Sequence, residues 1–457
     1  MKKTSLIILL VVILLSSCSK YEKDALETKG SIKLYPDYTA IDIPMNIAPL
    51  NFRIMESGQK YVVHYTNAKG DGFKVRSSNG KISIPERKWK KLLKSSYSEQ
   101  ILLDVYIKKI QWKHYPSIRY KVGDAIDQYA SYRLIHPQTG SWRKMGLYER
   151  DLSTFKQRTI IENSAIDYSC VNCHHVSANN AENFMFHVRA GKAGGTYIAN
   201  GKKIKKIAPK IYDIYNSVGY ASWHPNGKYI VFSANSVNGR DINQSSIHLI
   251  NGADSKSDLL VYDLENNEFY THASVFNVDY WESYPSWSAD GKSIYFCRAK
   301  SIDAHNHEDL TKIQYNLMKI DFDIENKTWS EPQTLIDAVS LNRSVGFPRV
   351  SPDGRYILYT LYDFGVFSIF RNISDLAIYD TQNKQSFLAD RLNTSETESY
   401  HSWSSDGKWI IFTSKYPDGE CGRPHIAAFD AQSATFSKPF VLPQKDPDFY
   451  KSFYLSY

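Results

Sequence analysis

The sequence predicts an all-β protein, a β-propeller of six blades, or five, preceded by a small β-rich domain. Three observations carry this. Four segments align without gaps: YASWHPNGKYIVFSA from Tyr220, YPSWSADGKSIYFCR from Tyr284, FPRVSPDGRYILYTL from Phe347 and YHSWSSDGKWIIFTS from Tyr400. Each is followed by a strand of one shape: LLVYDL (259–264), NLMKIDF (316–322), LAIYD (376–380) and HIAAFD (425–430). The 33 tyrosines, 21 phenylalanines and 9 tryptophans favour pleated surfaces, where aromatic rings pack well.

Within each repeat an aromatic opens a short strand. An Asn-Gly or Asp-Gly pair then turns the chain, and a strand of period two returns. Gly227, Gly291, Gly354 and Gly407 supply the positive φ of those turns and recur at spacings of 64, 63 and 53 residues. Polar turn residues and a last short strand complete four strands per unit. So small a sheet cannot bury its own faces, so the units must stack around an axis. Residues 129–152 and 184–207 supply strands for one or two further blades, and FYKSFYLSY at the C-terminus is available to complete the ring.

With W-S-x-D-G-K-x-I-x-F at their core, the units resemble the propeller repeats of the TolB family over residues 215–445. That resemblance implies a propeller, often six-bladed, whose members bind other envelope proteins or, in other branches, small ligands. The propeller is expected over 123–457 and the small β-rich, sandwich-like domain over 30–122. SIKLYP, LNFRI, KYVVHY, ILLDVYIKK and IRYKV read as strands there, and PERKWKKLLK as one short helix with Pro85 in its first turn.

The chain opens MKKTSLIILLVVILLSSCSK. Two lysines before an apolar run and small residues make an export signal over 1–17, too short to span a bilayer, which takes about 20 apolar residues. Leu15-Ser16-Ser17-Cys18 resembles the lipobox of bacterial lipoproteins, which implies cleavage before Cys18 and lipidation of its thiol. Residues 18–29 then form a charged tether. The formal net charge is +8, and loss of Lys2 and Lys3 with the signal lowers it further. Interspersed charges on an exported chain read as solubility, with no nucleic acid partner. The expected location is the cell envelope, at the outer membrane or facing the periplasm, held to the membrane by a lipid anchor.

YSCVNCHH (168–175) carries the C-x-x-C-H pattern of covalent haem attachment in an expected loop at 168–183. Two thiols add to the haem vinyl groups while the adjacent imidazole binds iron, so Cys170, Cys173 and His174 are expected to share one side of a tight turn. Strand alternation in FMFHVR puts Met185, His187 and Arg189 on one face, so Met185 and His187 are candidate second iron ligands. The cofactor so implied is haem c. The rivals are a local Cys170–Cys173 disulfide and a metal site. The whole order of signal, tether, β domain, C-x-x-C-H and blades resembles lipoproteins of Bacteroidetes-type bacteria.

One further cluster bears on activity. SIDAHNHEDL (301–310) places His305 and His307 on one face of an extended segment, as divalent-metal sites require. Some TolB-like propellers are sugar lyases whose metal is held by propeller histidines, so the resemblance makes a metal-dependent polysaccharide lyase an alternative. No G-x-S-x-G, H-E-x-x-H or P-loop pattern occurs. The expected function is therefore an exported, lipid-anchored TolB-like binding protein bearing one covalent c-type haem, for electron transfer or redox sensing with an envelope or redox partner. The other alternative is a haem-free scaffold binding an envelope protein or glycan.

Overall fold

The computed structural model describes residues 21, 24–135, 144–177, 180–189, 193–201, 203–207, 218–242, 250–302, 309, 311–371 and 373–451. The calls on Cys18, His305 and His307 lie outside the described residues. The chain divides into two compact units. One runs to Gln128 and takes in Leu152–Phe155 and the segment from Phe440. The other is the propeller, from Tyr129 to Asp151 and from Lys156 to Pro439.

In the first unit, Lys60–Asn67, Gly72–Ser77, Gln100–Lys108 and Trp112–Gly123 form an antiparallel sheet. Helix Glu86–Ser95 lays Trp89, Leu92 and Leu93 on its inner face, and the Trp89 indole donates to the Ile47 carbonyl at 3.0 Å. Pro85 is the cap residue before the helix rather than in its first turn, with an extended ψ of 117°, and its missing N–H costs nothing there. Phe440–Lys451 belongs to this unit, and the rest of the FYKSFYLSY segment expected to complete the ring lies outside the described residues. Asn51 donates to the Lys445 carbonyl at 3.0 Å, Arg53 pairs with Asp448, and the Tyr450 hydroxyl donates to the Leu442 carbonyl at 2.8 Å. The short strand Phe440–Val441 that opens this segment pairs with strand Arg423–Asp430.

The second unit is a six-bladed β-propeller. Among the described residues its sheets span 129–162, 170–207, 219–270, 280–336, 344–388 and 398–436, and we number the blades 1 to 6 in that order. Apolar clusters fill the space between successive sheets. Val231, Leu259 and Val261 of blade 3, for example, pack on Trp287, Ile294, Phe296 and Met318 of blade 4.

Why the repeat turns where it does is visible in blade 4. The Ser288 hydroxyl donates to Asp290 at 2.6 Å and accepts from the Ser293 N–H at 3.0 Å. Asp290 accepts in turn from the Lys292 N–H at 3.1 Å. Blades 5 and 6 repeat this with Ser351–Asp353 and Ser404–Asp406. Gly291, at φ 72°, closes the turn beneath the buried His224 of blade 3, whose Nε2 lies 3.0 Å from the Gly291 carbonyl.

A Cβ at Gly291 would come within 2.2 Å of that ring, whereas one at Gly227 would meet only Ser177 at 3.7 Å. Both alanine variants carry the left-handed backbone cost of about 1–2 kcal/mol. Gly291→Ala is expected to lose about 1–3 kcal/mol more through overpacking, read as the lower urea midpoint of the two.

Candidate functional site

The inner strands of blades 3 to 6 share one irregularity. In each, two residues bulge opposite one on the neighbouring strand, and the first takes a positive φ: Tyr220 44°, Tyr284 56°, Phe347 53° and Tyr400 47°. Such a conformation is uncommon for a bulky residue and persists only where surrounding structure holds it. The bulge turns each ring towards the propeller axis and onto the next. Tyr220–Tyr284, Tyr284–Phe347 and Phe347–Tyr400 centroids lie 4.5, 4.1 and 5.2 Å apart.

Blade 2 carries the same bulge, with Cys173 in the ring's place at φ 49°. The C-x-x-C-H segment is therefore not a loop. Cys170–Ser177 is the inner strand of blade 2, paired with Asn180–Arg189, and Cys173-His174 is its bulge. Physically, CHHVS is a fifth copy of YHSWS, one whose axial aromatic has become a thiol. The bulge interrupts the alternation, so the segment lacks the strand signature.

Extended backbone also removes the tight turn expected of the motif. At about 3.3 Å per residue, the Cα atoms of Cys170 and Cys173 stand up to about 10 Å apart, beyond the reach of a disulfide. No disulfide joins them. A Cβ at Gly219 of blade 3 would lie 3.4 Å from the Cys173 sulfur, so the thiol leans towards blade 3. The His174 ring turns the other way, hydrogen-bonding the Ser131 backbone of blade 1 and lying 5.9 Å from the Phe184 ring. Thiol and imidazole thus leave the bulge on opposite flanks.

Strand alternation in 184–189 is as expected, but its faces lead elsewhere. Met185 is fully buried in an apolar cluster with Ile198, Ala221 and Trp223, between blades 2 and 3. His187 is buried too, with Nδ1 3.0 Å from the Thr196 hydroxyl, at the sheet position that Cys297 holds in blade 4. The structure therefore does not bring Met185 or His187 to the axis beside His174.

Residues the sequence did not single out gather there instead. Arg349 occupies the third bulge position, where blades 3, 4 and 6 have Ser222, Ser286 and Ser402 and blade 2 has His175. Arg133 of blade 1 hydrogen-bonds the Tyr400 side chain, and Cys173 is also in electrostatic reach of Tyr400. Cys173, His174, His175 and Arg349 are each half-buried, and desolvation by the surrounding protein acts on the two imidazoles and the guanidinium.

Electrostatics there favour an anion. Burial, reinforced by Arg133 and Arg349, lowers His174 to about 4. Burial with Arg349 and His174 lowers His175 to about 3, and burial with Arg349 lowers His401 to about 3. Burial lowers even the Arg349 guanidinium, to about 10, and leaves it charged at neutral pH. The His401 Nε2 lies 2.9 Å from the Leu358 carbonyl, while its Nδ1 has no hydrogen-bond partner among the described residues. The neutral imidazoles spend their single N–H on backbone carbonyls, which leaves a thiol, a phenol and two guanidiniums to offer hydrogen bonds and positive charge to a ligand there. Among the described residues, no three of His, Cys, Asp and Glu gather as a metal site. Nor is any described helix long and apolar enough to cross a membrane.

No protein-family model matches the chain, and no curated protein does. Solved structures resemble it at low identity. TolB from Acinetobacter baumannii is 14% identical, aligned over 76% of this chain and 77% of its own, with a TM-score of 0.45. Oligogalacturonate lyase from Vibrio parahaemolyticus is 11% identical over 67% of this chain and 78% of its own, with a TM-score of 0.38. A hypothetical selenium-binding protein from Sulfolobus tokodaii is 10% identical over 78% and 87%, with a TM-score of 0.41. These are likenesses of architecture only.

Proposed function

We propose that this chain is an exported, lipid-anchored envelope protein whose propeller binds an acidic small molecule in its axial channel. The observation that carries the reading is the change of character around the axis. Blades 3 to 6 contribute an apolar arc of Tyr220, Tyr284, Phe347 and Tyr400, whereas blades 1 and 2 contribute Arg133, Cys173 and His174. Arg349 completes the polar side from the third bulge position of blade 5. A guanidinium left charged in an enclosed channel recognises carboxylate or phosphate, and a planar ligand would lie against the arc.

A second reading is haem c, favoured by the C-x-x-C-H pattern lying at the axis. Haem would supply redox chemistry. His174 is held neutral, as an iron-binding imidazole must be, and Arg133 and Arg349 suit the propionate carboxylates. The strand does not fit attachment through both thiols, because Cys170 and Cys173 are drawn out along it. A haem-free scaffold for an envelope protein is what remains if the channel holds no ligand.

One experiment separates the three. Protein purified from its own host is weighed under native and denaturing conditions and examined by pyridine haemochrome. A haem mass that survives denaturation, with a c-type α band, establishes haem c. In that case His174→Ala should alter the spectrum and Cys297→Ser should not. An acidic ligand lost on denaturation establishes the first reading, and Arg349→Met should weaken its retention about tenfold to a hundredfold, the worth of one charged hydrogen bond. An empty channel in protein from the native host would refute both.

A further inference from the structure

The antiparallel sheet of the N-terminal unit ends in a hairpin whose composition is unusual for a free surface. Lys108, Lys109 and Lys113 surround Ile110, which is 99% exposed at the tip. The turn is closed by the Lys109 N–H donating to the Gln111 carbonyl at 3.3 Å. Trp112 follows directly, opposite Lys108 in the register. Of the acids on neighbouring segments, Glu56 accepts from the Lys33 N–H at 2.8 Å, and Glu27, paired beside Lys113, lies 2.7 Å from His114 Nδ1. The tip is thus basic with one fully exposed aliphatic side chain.

Tyr21 marks the same place from the other direction. It is 8% exposed, and its ring lies 5.1 Å from Trp112 and 5.4 Å from Tyr106. Its hydroxyl is 2.6 Å from His64 Nε2, and the Lys74 ammonium stands 5.6 Å over the ring. The chain is pinned on this sheet face three residues after Cys18. Three residues reach at most about 11 Å. An anchor on Cys18 would hold Tyr21, and with it Trp112 at the hairpin end of the sheet, near the bilayer.

We propose that the hairpin at 108–113 docks on an anionic bilayer surface, with Ile110 entering the headgroup region and the three lysines facing lipid phosphates. Aliphatic and indole side chains favour that interface, and clustered lysines near a membrane are drawn to its negative potential. The proposal rests on the lipidated Cys18 of the preceding reading. It goes beyond a tether by giving the N-terminal unit one face towards the membrane.

The test uses the mature, lipidated protein in vesicles of 30% phosphatidylglycerol in phosphatidylethanolamine, with neutral detergent micelles as reference. Amide hydrogen exchange at 109–113 is expected to slow at least tenfold on the vesicles, and to return to the micelle rate in Ile110→Asp and in Lys109→Glu. Equal rates in vesicles and micelles would overturn the proposal. So would protection that appears in micelles and dilutes away, which would mark a second copy of the chain. Intact mass reports acylation separately. If acyl groups are absent, the anchor fails by itself, and exchange with added vesicles still decides the hairpin.

Discussion

Moving from pH 7 to pH 5 is expected to cost the ligand-free propeller a few kcal/mol of stability. Six imidazoles are responsible, His224 among them, lowered chiefly by burial. Burial lowers His187 and His425 to about 4, alongside His174 at about 4 and His175 and His401 at about 3. A folded pKa below the unfolded value near 6.5 means the unfolded chain takes up protons first. The stabilisation is complete above about pH 6.5 and is lost as pH falls towards 4 and then 3. Each fully buried imidazole contributes on the order of 2 kcal/mol over this interval, and the half-buried ones contribute less.

Two carboxyls act in the opposite sense. Burial raises Glu282 to about 8 and Glu398 to about 7, so their contribution grows on acidification from those values to about 4.5. Each offsets about one imidazole over the interval, on the order of 2 kcal/mol, and both are exhausted below about 4.5. Urea midpoints by tryptophan fluorescence should therefore fall between pH 7 and 5 and more steeply below. His401→Gln should flatten the profile, while Glu398→Gln should steepen it. A midpoint that rises on acidification would contradict the burial of these rings.

Arg298→Met is the single substitution expected to cost most. Glu282 is fully buried and accepts from Arg298 Nε at 2.9 Å, while its second oxygen has no hydrogen-bond partner among the described residues. Asp258 lies close enough to disfavour its charge further. Removing the guanidinium leaves a buried carboxylate, a loss of about 3–5 kcal/mol. The loss should be greatest above pH 8, where Glu282 would otherwise be ionised, and smaller near pH 5, where it is protonated. Adding Glu282→Gln should restore part of it, because the buried charge then has no cause. A pH-independent loss, unaffected by the second substitution, would refute the ion pair as its source.

Much of the architecture was legible because turns are local chemistry. Ser-x-Asp-Gly carries its own hydrogen bonds, so blades 4, 5 and 6 declare themselves. Blade 2 did not, since Cys173 and Val176 stand where Tyr400 and Trp403 mark the repeat, and the bulge hides the period. Lining CHHVS up against YHSWS was the signal that could have found it. The site was only half legible for a related reason. Cys173 and His174 were noticed for their spacing, whereas Arg349 is one arginine in a run of repeats. Only the fold brings its charge beside His174, His175 and His401. Met185 was placed correctly on its strand and wrongly in space, because alternation names a face and says nothing of which neighbour covers it.

The shared bulge separates two tasks that most β-sheets combine. Side chains on a regular strand belong to one face or the other, so changing one disturbs packing. At Cys173, Tyr220, Tyr284, Phe347 and Tyr400 the positive-φ bulge redirects the side chain, and the four rings pack on one another and into the buried cluster around Cys297 and Tyr359. Sheet pairing resumes two residues later whatever is displayed. These positions share one backbone geometry and one register whether they carry a ring or a thiol. A propeller of this kind can acquire new ligand chemistry one position at a time, and blade 2, with a thiol in place of a ring, is such an exchange.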